Sequence, residues 1–400
     1  MNNRLPGPPL RIAVLGDFDS IHTRRYLRLF VERGHDLHAI SYYRPVAELP
    51  GVTLHTLAGA SSLSSHLHAG ITLRSRLQRI APPSLMRFAH ALRYQRAGLT
   101  RVLRDIRPDV FHAHYVVEHG FYGALTGVRP YVVTAWGSDL LRESYTPLGR
   151  LIAGWVLRRA DLITGNDPTL LRRAAALGAP PEQTALVRLG VDRLFLDAVS
   201  VNLGASTDTA PPTLICDRAL EPLYNVETVL RAFARLRERL PAGRLLIAGD
   251  GGQRAHLEAL ARHLGLGASA QFLGRLPPNA LRDALAAAHV YVSVPSSDSM
   301  AVSNLEAMAV GAFPVLSDLP SLEGWITPGS NGLLVPPSPS VEVLADALYD
   351  ALTNAERRRK AAEVNRKRVE TEGLNETNML LLERHYYRLA GHPLADQGVI

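Results

Sequence analysis

The densest group of chemistry-bearing side chains lies in residues 295–326, PSSDSMAVSNLEAMAVGAFPVLSDLPSLEGWI. Asp298 closes a predicted strand, and Glu306 follows eight residues later in the first turn of a predicted helix. Two carboxylates at the carboxyl end of one parallel strand stand where open α/β sheets bind ligands. The backbone N–H groups of Ser299 to Ser303, at the same helix start, suit an anion. A carboxylate there can accept both hydroxyls of a ribose or a sugar diol. The plainer alternative is that Glu306 only favours the helix start electrostatically. Arg218, in RALEPLYN just after a predicted strand at 213–216, can grip a diphosphate bidentately or form a structural salt bridge.

A second group lies in the first half of the chain. The loop Gly16 to His22 follows a predicted strand and precedes a helix, where a phosphate or sugar sits well. It lacks G-x-G-x-x-G, so a nicotinamide dehydrogenase is disfavoured. His112 and His114 share one face of a predicted strand, with His119 close behind. Zinc is conceivable on such a pair, but no further ligand cluster is visible in the sequence. His114 or His119 can touch an acceptor or sugar from the end of the strand; the alternative is a hydrogen-bonded core histidine. Asp139, after another predicted strand, and His22 are candidates to hold an acceptor hydroxyl.

These residues need a scaffold, and 400 residues suffice for two or three domains. The chain is 46% hydrophobic and 20% charged, so it can build large cores. No run approaches the roughly 20 apolar residues that span a bilayer. MNNRLPGPPLR has no apolar core, so no signal peptide is expected. One cysteine, Cys216, precludes an internal disulfide or a cysteine zinc site, and a cytoplasmic location fits. The only lysines are Lys360 and Lys367, which argues against Schiff-base chemistry and a Walker-A ATPase. A net charge of +7 favours anionic partners. Nucleic acid is the weakest of these, because the arginines are not interleaved with aromatics as a stacking platform requires.

Strands are predicted at 11–16, 36–43, 109–114, 131–135 and 162–164, with a helix over 23–34. Residues 197–212, DAVSVNLGASTDTAPP, read as a linker. Beyond it come strands at 213–216, 244–248, 271–273, 290–294 and 312–316, alternating with helices at 225–239, 252–264, 278–288 and 303–310. The fold class is therefore α/β with parallel sheets covered on both faces. An amphipathic helix at 376–391 carries Met379, Leu382, Tyr386 and Leu389 on one face. The domains are 1–196, a linker 197–212, 213–375, and a tail 376–400. Segment 72–107 carries nine arginines among apolar residues. It reads either as a surface for an anionic membrane or acceptor, or as a helical face whose arginine stems cover apolar surface. The basic run 356–368 reads as a solvated helix face.

The order of DVFHAHY (109–115), YVVTAWGSD (131–139), ADLITGN (160–166), RLGVDRLF (188–195), LLIAGDGGQRAHLEALARHLGL (245–266), FLGRLPPNAL (272–281) and Asp298 to Glu306 with LEAMAVGAFPV (305–315) resembles family-4 glycosyltransferases. That resemblance covers about residues 11–350. It implies the GT-B fold: two Rossmann-like domains with a cleft between them, and a C-terminal helix crossing back to the first.

The same resemblance implies retaining transfer of a sugar from a nucleotide-diphosphate donor, with no metal and no other cofactor. Glu306 then contacts the ribose, Asp298 stands beside the donor sugar, and Arg218 neutralises the diphosphate. Ser299, Met300, Ala301 and Val302 replace a glycine-containing loop whose amides touch the phosphates; Gly16 and Arg275 complete the donor side. His114 joins Asp298 and Arg218 as a catalytic candidate, and Asp139, His119, His22 and Trp136 form the acceptor side. Three departures stand out. Asp298 replaces the usual glutamate, Tyr224-Asn225 replaces the usual phosphate lysine, and Trp136-Gly137 replaces a His-Gly pair. The expected partners are a nucleotide sugar and a sugar, lipid-linked or small-molecule acceptor, with peripheral contact at the inner membrane face. The competing functions are a GT-B nucleotide-sugar epimerase and a non-catalytic nucleotide-sugar-binding protein.

Overall fold

A computed structural model of the chain describes residues 5–46, 49–57, 95–141, 144, 146–198, 200, 202–203 and 211–392. It divides into one unit of Met1–Val187 with Met379–Ile400, and a second of Arg188–Asn378. The sequence boundary at 196 lies a short way beyond this division.

The first unit is built on seven parallel strands: β1 (Arg11–Leu15), β2 (Asp36–Ser41), β3 (Val52–Thr56), β4 (Val110–His114), β5 (Tyr131–Ala135), β6 (Leu162–Gly165) and β7 (Thr184–Leu186). Their order is β3-β2-β1-β4-β5-β6-β7. β4 and β5 are buried at every position, as continuous apolar runs in a doubly covered parallel sheet must be. The edge strand β3 is largely exposed, and β7 has only three residues. Neither shows the apolar run by which sequence reading finds a buried strand. Helices start where polar side chains can satisfy free backbone N–H groups. Thr146 accepts from Gly149 and Asp167 from Leu170, each followed by a proline at the first helical position.

The second unit has six parallel strands: β8 (Thr213–Cys216), β9 (Arg244–Ile247), β10 (Ala270–Phe272), β11 (Val290–Ser293), β12 (Phe313–Ser317) and β13 (Leu333–Val335). Their order is β10-β9-β8-β11-β12-β13. The helix Val226–Arg239 buries Val226, Val229, Leu230, Phe233 and Leu236, a stripe at helical spacing against the sheet. The expected linker is partly packed: Asn202 is buried and its amide donates to the carbonyls of His289 and Gly311, each at 2.9 Å.

Two arginines of the run 356–368 correct the expectation of a solvated face. Arg358 is buried and donates to the carbonyls of Ala351 and Leu352, at the end of the helix Val341–Thr353. Arg366 donates to Ala309 at 2.6 Å, in the last turn of the helix Val302–Val310, and to Leu196 and Ala198. The last carbonyls of a helix lack intrahelical partners, and a guanidinium fork can collect several at once. Residues 72–94 of the basic segment 72–107 lie outside the described residues. Within 95–106, which is helical, Leu99, Leu103 and Ile106 are buried while Arg96, Arg101 and Arg104 are exposed.

From Met379 the C-terminal helix Asn375–Leu389 belongs to the first unit. Met379, Leu382 and Tyr386 are buried as the apolar stripe requires, and so are Glu383 and Tyr387. Glu383 is nearly sealed at 1% side-chain exposure. It accepts from Arg33 Nε at 2.6 Å and pairs with His35 Nε2 at 2.8 Å. His35 Nδ1 accepts from the Leu10 N–H, so its proton sits on Nε2 and points at the carboxylate. Tyr387 donates to the Pro8 carbonyl at 2.9 Å.

Glu383→Gln removes the carboxylate charge that meets Arg33 and His35 in the interior, and breaking such a buried pair costs about 3–5 kcal/mol. Burial raises the Glu383 pKa, but hydrogen bonds from His35 and Arg33 outweigh it, and the net pKa lies below the usual glutamate range. Stability from a depressed carboxylate is present above the unfolded pKa, about 4.3, and is lost as pH falls through the folded value. Thermal unfolding of wild type and Glu383→Gln should differ most near neutral pH, and the difference should shrink as pH falls below about 4.3 and on through the lowered folded value. A difference that ignores pH would show that this charge does not tie the helix down.

Candidate functional site

In the second sheet the strand order reverses direction between β8 and β11, and ligands of open α/β sheets bind outside the carboxyl ends at such a switch point. Arg218 lies two residues beyond the end of β8 and Asp298 five beyond the end of β11, so the fold brings both expected residues to one place. Arg218 Nη2 donates to Asp298 Oδ2 at 2.5 Å, and Nη1 donates to Ser303 Oγ at 2.7 Å. The guanidinium also lies 4.4 Å from the centre of the Tyr224 ring. Its side chain is only 8% exposed, a position a charge tolerates when it is paired. Burial raises the Asp298 pKa above its ordinary value, with the Arg218 charge pulling against it. Burial alone would lower the Arg218 pKa; the surrounding carboxylates and phenols turn it upward.

The loop after Asp298 leads into the helix Val302–Val310, with Ala301 as its N-cap. Glu306 therefore sits in the second turn, not the first. A carboxylate favours a helix start only within the first turn, so the purely electrostatic alternative for Glu306 loses its footing. Glu306 is 7% exposed. Ser299 and Ala301 are half-buried, whereas Met300 and Val302 are buried. The Met300 side chain belongs to the core with Leu305 and Met308, leaving only its backbone for a ligand. Ser321 Oγ donates to the Asp298 carbonyl at 3.0 Å and holds the loop in place.

Several contributors to this site were not singled out from the residues alone. The turn after β9 reads Gly249-Asp250-Gly251-Gly252, and a Cβ at Gly249 would lie 2.1 Å from the Arg218 carbonyl oxygen. One at Gly251 would lie 2.6 Å from that of Leu220, so the two loops pack backbone to backbone. The signal was present as three glycines in four residues after a strand. The Tyr224-Asn225 departure also has a structural role. Tyr224 stacks on Arg218, and Asn225, left-handed at φ 52°, donates from its amide to the Val294 carbonyl at 2.8 Å. Tyr291, fully buried in β11, places its hydroxyl 2.9 Å from Asp217 Oδ1 and 3.1 Å from Ser303 Oγ. Nothing in its local sequence marks it as polar machinery. Arg275 is exposed beyond the edge strand β10, two strands or about 10 Å from β8. Among the described residues no hydrogen bond or ion pair joins it to Arg218, Asp298 or Glu306.

In the first sheet the switch point lies between β1 and β4. Gly16 follows β1 and is packed so closely that its Cβ would touch the His114 Cβ at 3.4 Å. The two histidines of β4 differ. His112 is satisfied, with Nε2 at 2.7 Å from Thr134 Oγ1 and Nδ1 at 2.5 Å from the Tyr386 hydroxyl. His114 is 2% exposed, and neither ring nitrogen has a hydrogen-bond partner. Its ring lies between Tyr26, at 4.8 Å, and Trp136, at 5.2 Å. Burial holds its pKa well below the ordinary histidine value. His119 is stacked on Tyr42 at 5.7 Å, and burial brings its pKa down to about 4. His22 is exposed, with its ring 5.9 Å from that of Trp136.

Asp139 corrects an expectation. It is fully buried and accepts backbone N–H groups from Val116 and Gly137, each at 2.9 Å, Leu140 at 3.0 Å and Trp136 at 3.2 Å. Both oxygens are turned into the fold, where they pin the turn after β5 to the segment after β4, so it does not offer itself to an acceptor hydroxyl. Burial pushes its pKa up to about 6 against the pull of those amides.

The family profile described as glycosyl transferases group 1 matches residues 205–368, and that of glycosyl transferase 4-like matches residues 11–167. Over 262 residues the chain is 28% identical to D-inositol 3-phosphate glycosyltransferase 2 of Catenulispora acidiphila, covering 57% of this chain and 58% of that protein. It is 28% identical to the glycogen synthase of Mycobacterium tuberculosis over 276 residues, covering 65% and 64%. The chain thus spans less than two thirds of either curated relative. Among solved structures it resembles Anabaena HepE in complex with UDP, with TM-score 0.73, 15% identity, and coverage of 95% of this chain and 100% of that one. It likewise resembles the sucrose-phosphate synthase of Thermosynechococcus elongatus, with TM-score 0.71, 19% identity, and coverage of 95% and 99%. These two likenesses concern the fold, which is the α/β GT-B type with two Rossmann-like units.

Asp139→Ala would strand the buried N–H groups of Val116 and Gly137, each worth about 1–3 kcal/mol. Chemical denaturation should show a loss of about 2 kcal/mol or more, with Asp139→Asn intermediate because one acceptor oxygen remains. Wild-type stability in Asp139→Ala would refute the pinning role.

Proposed function

The chain belongs to the family-4 glycosyltransferases, and on that premise we propose that it moves a sugar from a nucleotide-diphosphate donor to an acceptor hydroxyl, with retention and without a metal. The observation that carries this reading is the buried guanidinium of Arg218 at the switch point, beside the start of the helix Val302–Val310 and in reach of Asp298. That is an anion site in a doubly wound sheet.

In this reading the diphosphate takes the place of Asp298 on Arg218. The Asp298 carboxylate is then released toward the donor sugar, while Glu306 receives the ribose hydroxyls. As the glycosidic bond breaks, negative charge builds on the leaving diphosphate. Arg218 and the helix-start amides meet it in an environment of low dielectric, where such interactions are strongest. The transition state resembles an oxocarbenium ion. The acceptor hydroxyl attacks from the face the diphosphate leaves, and gives its proton to a phosphate oxygen. This front-face route needs no protein nucleophile.

The relatives' names include an inositol phosphate and glycogen, so a polyol or a glycan is the acceptor class to try first. His114, unpartnered beside Trp136 at the other switch point, is the residue we assign to a sugar or acceptor hydroxyl. Among the described residues no helix is long and apolar enough to cross a membrane. A cytoplasmic protein in peripheral contact with an anionic inner leaflet through segment 72–107 remains part of the proposal, together with lipid-linked acceptors.

Incubation with UDP-, GDP-, ADP- and dTDP-sugars should release free nucleoside diphosphate only when acceptor is present, and Glu306→Ala should abolish the release. Consumption of donor without acceptor would favour epimerisation instead, and donor binding without any turnover would favour a binding protein. Asp298→Asn separates two effects. With the competing carboxylate gone, the nucleoside diphosphate should bind more tightly by calorimetry, while turnover falls. Weaker binding in that variant would sink the partner exchange at Arg218.

A further inference from the structure

Arg218 is held by more than Asp298. Its Nη1 donates to Ser303 Oγ at 2.7 Å, Ser303 Oγ lies 3.1 Å from the Tyr291 hydroxyl, and that hydroxyl lies 2.9 Å from Asp217 Oδ1. A guanidinium only donates and an ionised carboxylate only accepts. Ser303 Oγ accepts from Arg218 and from the Tyr291 hydroxyl, and that hydroxyl is shared with Asp217. Two hydroxyls therefore stand between the guanidinium and Asp217 and bound the plane the guanidinium can take.

Tyr291 is fully buried in the middle of the sheet, on the strand next to β8. A phenylalanine would fill the same apolar space. The hydroxyl is instead aimed at three polar groups, the third being Asn304 Oδ1 at 3.4 Å. Buried polar groups are stabilising only when fully bonded, and a chain of them is more rigid than its separate links. Asp217 reaches Arg218 through this chain while Asp298 reaches it directly. When a diphosphate displaces Asp298, the Asp217 chain still holds the guanidinium facing the ligand. We propose that Tyr291 and Ser303 are positioning residues for the diphosphate: they link Arg218 to Asp217 and keep its guanidinium oriented while its direct ion pair is exchanged.

This rests on the reading of Arg218 as the diphosphate ligand, and the experiment separates the two. Calorimetric titrations with UDP, GDP, ADP and dTDP, and with the matching monophosphates, are made on wild type, Arg218→Ala, Tyr291→Phe, Ser303→Ala and Ser303→Thr. For whichever diphosphate wild type binds, Arg218→Ala should lose binding. Tyr291→Phe and Ser303→Ala should weaken it roughly tenfold, the loss of one hydrogen bond to a charged group. Ser303→Thr, which keeps the hydroxyl, should restore wild-type affinity. The matching monophosphate, which lacks the diphosphate that Arg218 grips, should bind all of these variants alike, which a general loosening of the core would not produce. Should Tyr291→Phe not fold, the Ser303→Ala and Ser303→Thr pair decides alone. Wild-type diphosphate affinity in Tyr291→Phe and Ser303→Ala, with Arg218→Ala defective, overturns the positioning role and leaves the site reading standing. Failure of wild type to bind any of the four diphosphates, or undiminished binding in Arg218→Ala, overturns the site reading and this inference with it.

Discussion

A guanidinium buried where two strands part imposes most of what surrounds it. Arg218 keeps its charge in a site of 8% exposure, so everything near it must either accept a hydrogen bond or offer a π face. Asp298, Ser303 and Tyr224 do this directly, and Tyr291 with Asp217 does it at one remove. The glycines at 249 and 251 follow from the same demand. The loop bearing Arg218 can lie close to the turn after β9 only if positions 249 and 251 have no side chains. Two residues that look like departures from the family pattern become intelligible here. Tyr224 gives the arginine a ring to lie on, and Asn225 ties the next helix to the end of β11.

The first unit shows the same physics with a different outcome. Its sheet also reverses at β1 and β4, and its switch point holds aromatic rings and a neutral histidine in place of a charge. His112 and His114 share a strand face yet have opposite environments. His112 is closed off by Thr134 and Tyr386, while both nitrogens of His114 stay unpartnered. An unpaired buried polar group carries a desolvation penalty, and such groups persist at functional positions more readily than elsewhere. Asp139 is the converse. Its carboxylate looks available in the sequence, but the fold uses it to gather backbone N–H groups.

Ionic side chains also close the ends of elements. Arg358 and Arg366 collect carbonyls that helices leave unpaired, and Glu383 fastens the last helix to Arg33 and His35. A basic run that resembles a solvated face by composition is thus partly interior scaffolding. The distinction depends on which carbonyls lie within reach. That depends in turn on the helix that ends just upstream at Thr353 and on one that ends far away in the sequence, at Val310.

Sequence alone determined the α/β class, most strands, the helix stripes, the position of Arg218 and Asp298 just beyond their strands, and that of Glu306 on the helix that follows. Those features are local: apolar runs, helical spacing and the residues that end them act within a few positions. Strand order was not local, and strand order put β8 beside β11, joining Arg218 to Asp298 across 80 residues. Only the tertiary structure decided that Asp139 turns inward, that His112 is satisfied while His114 is not, and that Tyr291 supports an arginine. In each case the role of a polar group is set by its partners, and those partners come from segments that only packing brings together.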